Sequence, residues 1–169
     1  MASKVSRRVK IWAAVVAGAA AAALLSAPIR VLEITHESTG RLLWRVPVRS
    51  GATVDLHYTN SIYNAPTSER FTVHGESLRL VEVSSTKEAV LEYMRLESSY
   101  ERREGWYVAR VGGPTLATFT TRIGQTGQQR LVVQGLEIPL YRIGTGEAAT
   151  VTITRTPWLV TLVHRPAPP

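Results

Sequence analysis

The chain has no cysteine among its 169 residues. That removes disulfides, thiolate metal sites, cysteine nucleophiles and a lipid-modified cysteine anchor. Lysine is almost as scarce beyond residue 28, where Lys87 stands alone against 15 arginines. There is no Gly-x-Ser-x-Gly elbow, no phosphate-binding glycine loop ending in lysine, and no pair of histidines at metal-ligand spacing. One stretch lacks charge altogether. Ile11 to Ala27 is a run of 17 uncharged residues, rich in alanine.

That run follows Lys4, Arg7, Arg8 and Lys10 and stops at Pro28. A cationic start before an apolar run is the pattern of a signal peptide or an N-terminal membrane anchor. As a helix it would rise roughly 25 Å, slightly less than a hydrocarbon core of about 30 Å, and snorkelling of Lys10 or Arg30 supplies the rest. Small residues at Ser26 and Ala27 suit a peptidase, but Pro28 would follow the cut. Cleavage after Ala23 stays open. A retained segment gives a single-pass protein of the cell membrane, N-terminus inside and body outside. A cleaved one gives a secreted or periplasmic body. A buried alanine-rich helix of a soluble domain is the plain alternative. The expected organisation is an anchor over 1–28, one domain over 29–165 and a disordered tail over 166–169.

The body keeps 16 basic residues against 13 acidic ones, a balance of +3. Much of the high pI therefore belongs to the leader, and a nucleic-acid partner is not expected.

Beyond Pro28 the apolar period is two. Leu42, Trp44, Val46 and Val48 alternate with Arg41, Arg45 and Arg49. Val54, Leu56 and Tyr58 alternate with Asp55, His57 and Thr59, and Phe71 and Val73 with Arg70, Thr72 and His74. Trp106 to Val111 supplies both faces of a more buried strand, and Val151 and Ile153 sit among threonines. Glycine-rich turns separate these runs. The pattern predicts a mainly β fold, an antiparallel sandwich or barrel-like domain behind one N-terminal membrane helix. Ser84 to Arg103 fits a helix or a strand; Val90, Tyr93 and Tyr100 favour a strand around Val90 to Leu96. Trp158 to Val163 reads as a short apolar strand, and Gly124 to Arg130 as a hairpin turn.

Tyr58 to Glu69 is the best candidate site. It reads as a polar loop held between strands, concentrating Asn60, Ser61, Tyr63, Asn64, Ser68 and Glu69. The candidate binding residues are Tyr58, Asn60, Ser61, Tyr63, Pro66 and Glu69. The plain alternative is an ordinary connection. A serine hydrolase would need Ser61 with His57 or His36 as base, or Ser61 together with Glu69. A metal site would have to draw on His36, His57, His74 and His164, each isolated and expected to face solvent. A glycosidase would need Asp55 and Glu69 to converge. Trp44, Trp106 and Trp158 fit core packing better than a stacking platform. No catalytic residue, metal or cofactor is expected.

The order of motifs resembles a known family. Leu42 to Val48 is followed by Gly51, the Leu56-His57-Tyr58-Thr59-Asn60-Ser61 run, Pro66, Glu69 and Phe71. This is similar to the small bacterial family called domain of unknown function 1850, whose members typically show Tyr-x-His-Ser and then Pro and Glu. Tyr58, Ser61, Pro66 and Glu69 match, while Asn60 stands in place of histidine. Glu104-Gly105-Trp106-Tyr107 and Arg130 to Tyr141 also fit, so the resemblance spans Val31 to Ile143. It implies a small exported or membrane-anchored protein without assigned activity. It also implies an accessory role beside a TAXI-type tripartite solute transporter, with a permease or its solute-binding protein as partner. Asn60 disfavours any role that needs a titrating group there.

Overall fold

A computed structural model describes residues 7–96 and 99–163. Lys4, His164 and the tail over 166–169 lie outside them. Helix α1 (Arg7–Ser26) comes first. Its Val9–Ser26 stretch has a mean hydropathy of 1.8, is not buried, and is long and apolar enough to cross a membrane.

The remainder is two antiparallel sheets facing each other. Strands β1 (Pro28–His36) and β2 (Leu42–Pro47) join β12 (Ala148–Pro157) and β9 (Thr118–Arg122) in a four-stranded sheet, in the order β2-β1-β12-β9. The second sheet contains β3 (Thr53–Asn60), β4 (Ala65–His74), β5 (Ser77–Ser85), β6 (Tyr100–Arg103), β7 (Trp106–Arg110), β10 (Arg130–Val133) and β11 (Leu136–Ile138). Their order is β11-β10-β3-β4-β5-β7-β6, with β8 (Thr115–Leu116) paired to β5. The period-two pattern does what it should: Leu32 and Ile34 from one sheet meet Val54, Leu56, Phe71 and Leu131 from the other in one buried core. A smaller cluster, Val83, Leu91 and Ala109, lies under α2 (Glu88–Tyr93), and Leu80 touches both.

Several expectations need correction. Ser84 to Arg103 holds the helix α2 and then β6, not a strand at Val90. Six residues are too few for a 3.6 period to show, and burial of Val90 and Leu91 decides the conformation. Trp158 to Val163 is a helix, α3, and Trp158 is exposed rather than in the core. Trp44 does pack on the core, while Trp106 is half-buried. Gly124 to Arg130 is not a hairpin, because it leaves one sheet at β9 and enters the other at β10. Leu43, not Leu42, is the fully buried residue opening β2, where the register with β1 shifts between Ile34 and Thr35. Tyr58 to Glu69 is not a loop but the β3–β4 hairpin, with only residues 61–64 in its turn.

Two contacts orient the sandwich. Gln134, beside the start of β3, donates to the Pro47 carbonyl at 2.9 Å, and Glu76, after β4, pairs with Arg155 at 2.8 Å. Pro28 is paired with Pro157, so these groups share the end from which α1 departs. The β3–β4 turn is at the opposite, helix-distal end.

Candidate binding cleft

Toward their hairpin, strands β3 and β4 place the polar residues Tyr58, Asn60, Thr67 and Glu69 at inward positions. Glu69 is opposite Leu56 and Thr67 is opposite Tyr58. A cleft of about 560 Å³ opens here between the sheets. Its polar lining includes Tyr58, Asn60, Ser61, Glu69, Arg122 and Gln129, and its apolar wall is Phe71, Leu80, Leu116 and Phe119. Phe71 and Phe119 stack across the two sheets, centroids 4.7 Å apart and planes 6° from parallel.

The Tyr58 hydroxyl donates to Glu69 Oε1 at 2.7 Å. Burial raises the Glu69 carboxyl above the usual glutamate range, and the Tyr58 hydrogen bond only partly opposes this. Tyr58 is pushed up as well, by burial first and then by the neighbouring carboxylate. Gln129 is 7% exposed; its amide N–H donates to the Arg122 carbonyl at 3.0 Å, while Oε1 has no partner. Arg122 donates from Nη1 to the Gly146 carbonyl at 3.2 Å.

Of the residues expected at a site, Tyr58, Asn60, Ser61 and Glu69 line this cleft; Tyr63 and Pro66 do not. Tyr63 packs edge-on against Tyr93 of α2 at 6.0 Å, and Lys87 Nζ donates to its carbonyl. The Pro66 carbonyl accepts from Ser85 Oγ at 2.9 Å, and its ring lines a smaller outer cavity with His57, Trp106 and Arg130. These two residues clasp the hairpin to its neighbours. Asn60 also has a structural task. Its Oδ1 accepts from the Ile62 and Tyr63 amides, both at 3.1 Å, which closes the turn.

Among the described residues, neither histidine expected as a base for Ser61 lines its cleft. His57 lies on the other face of β3, where burial lowers its pKa, and His36 Nε2 is held by Glu147 at 3.0 Å. The His36 side chain is 12% exposed, so it does not face solvent as expected; His74 does. Asp55 is opposite Arg70 on the outer face and Glu69 points inward, so these carboxylates do not converge. No cluster of metal-ligating side chains occurs among the described residues.

Sequence reasoning missed Gln129, Arg122, Phe119, Leu80 and Leu116. Only Gln129 carried a signal: a polar residue just before the inward, apolar alternation of β10.

No family profile, curated protein or solved structure matches this chain. The family resemblance therefore rests on its motif residues, of which Tyr58, Ser61 and Glu69 share the cleft.

Proposed function

We propose that this is a non-catalytic module outside the cytoplasm, held to the cell membrane by α1 with its N-terminus inside. It serves as an accessory of a solute-uptake transporter, of the TAXI tripartite type that the resemblance implies. One observation carries the binding reading: a cleft with a half-buried Tyr58–Glu69 pair at the end of the sandwich opposite α1. A tether at one end leaves the other free to meet a permease or a solute-binding protein. Beside the cleft the hairpin turn presents Ile62, 61% exposed, as an apolar contact for such a partner.

Affinity capture from gently solubilised native membranes tests this. The expected result is co-enrichment of a multispanning permease or its binding protein, reduced at least fivefold by Ile62→Asp or Glu69→Ala in folded variants. Capture of neither, or equal capture by both variants, overturns it.

A further inference from the structure

Two acceptors, Glu69 and Gln129, stand together in the cleft, while Arg122, Ser61, Thr120 and Thr121 supply donors elsewhere on its lining. Gln129 precedes Arg130, which pairs with His57, so Gln129 sits next to Tyr58 on the inner face. Tyr58 spends its only hydroxyl proton on Glu69. Among the described residues Glu69 has that one donor and no cationic partner. Gln129 Oε1 is buried with no donor. A buried acceptor left unmatched costs stability until a donor arrives. The opposite wall, Leu80, Leu116 and Phe119, is apolar.

We propose that the cleft binds a small primary amine with an apolar body. The ammonium group meets Glu69 and Gln129 Oε1, and the body lies along Leu80, Leu116 and Phe119. This rests on reading the cleft as a binding site. An ammonium carries three donors and no acceptor, which complements the Glu69 and Gln129 acceptors, while the Arg122 guanidinium on the same lining is directed to the Gly146 carbonyl. A carboxylate in the same place would face Glu69, and a hydrocarbon would leave Gln129 Oε1 unmatched. The volume is within the range of small-molecule sites.

Calorimetry on the full chain in lipid nanodiscs tests it with 2-phenylethylamine, 2-phenylethanol and 3-phenylpropionate. Saturable binding of the amine is expected, at least tenfold tighter than either congener. Glu69→Gln is expected to weaken it at least tenfold and Gln129→Leu several-fold, while Glu76→Gln at the other end leaves it unchanged. Should Glu69→Gln fail to fold, Gln129→Leu carries the test. No amine binding, equal binding of 3-phenylpropionate, or indifference to both folded variants overturns the proposal. Partner capture without amine binding would overturn this ligand and leave the accessory role standing; amine binding without capture would do the reverse.

The α1 end carries a separate surface. The Trp158 amide donates to the Ala27 carbonyl at 3.1 Å, so α3 begins where α1 ends. Trp158 and Leu159 are 41% and 48% exposed there, and the exposed Arg49 is in the loop after β2 at the same end. We infer that this end rests on the bilayer that α1 enters, Trp158 and Leu159 at the headgroup level and Arg49 toward anionic lipid. The cysteine-free chain allows single labels. Val16→Cys, Leu159→Cys and Ser38→Cys would each carry an environment-sensitive fluorophore, in phosphatidylcholine–phosphatidylglycerol vesicles with lipid-borne quencher. Strong quenching at 16, intermediate at 159 and none at 38 is expected. Quenching at 16 alone overturns the contact, and quenching at none overturns the anchor with it.

Discussion

Strands β3 and β4 have two ends on one face, and the ends behave differently. Toward α1, Val54 and Val73 are sealed beneath the opposite sheet, and Leu56 and Phe71, 4% and 2% exposed, mark the boundary. Away from α1, the same alternation continues through Tyr58, Asn60 and Glu69, and the sheets part. The period of the pattern does not change. Only the chemistry of the inward residue does. A sandwich thus makes a cleft by writing polar residues into the inward positions at one end of its strands.

The contrast is broken hardest from the sealed end. Leu78→Ala removes a fully buried side chain, opposite Val73, from the main core. It is expected to cost about 2–5 kcal/mol, because the surrounding strands cannot collapse onto the space. Urea denaturation checks this. A loss below about 1 kcal/mol would mean that this end is as loosely packed as the cleft.

Next in size is the wall. A Cβ on Gly113 would lie 2.8 Å from the Leu80 carbonyl oxygen and 3.1 Å from Leu80 Cβ. Backbone cannot swing aside as a flexible side chain can. Gly113→Ala is expected to cost about 1–3 kcal/mol and to shift amide resonances around Leu80 and Leu116. Shifts confined to residue 113 would show that the wall yields freely. Asn60→Ala is smaller again. It takes the acceptor from two turn amides and is expected to cost about 1 kcal/mol. Urea denaturation measures it, and no loss would mean that the turn holds without Asn60.

The sealed end was legible in the sequence. Val54, Leu56, Phe71, Val73, Val151 and Ile153 follow period two, and period two alone predicts antiparallel strands. The site was half legible. Tyr58, Ser61 and Glu69 stand out as polar residues in a strand context. Their companions come from β5, β8, β9 and the crossing before β10, far along the chain, and no local pattern says which sheet a strand joins. Gly124 and Gly127 read as a hairpin because a turn into the same sheet and a crossing to the other use the same residues. Tyr63 and Pro66 misled for the opposite reason: their proximity in sequence to Glu69 does not survive the pleat and the turn. Alpha2 and α3 are too short for helical periodicity to outweigh their β-favouring residues.

The smallest effect separates the two ends by charge rather than shape. Burial raises the Glu69 pKa above 4.5, its ordinary value. Between that value and the folded one, the folded chain holds a proton that the unfolded chain has released. Unfolding then releases that proton, so stability falls as pH rises through this window. Glu69→Gln removes the titration and keeps the size. The expected outcome is that the variant gains on the wild type as pH rises from about 4 toward 7, read from urea midpoints at each pH. Bound amine would oppose this trend, since a cation beside the carboxylate favours its charged form. Parallel curves for wild type and variant would show Glu69 to be as well hydrated as a surface glutamate. The two ends of β3 and β4 would then differ in shape alone, and the floor of the cleft would lose its reason to seek a cation.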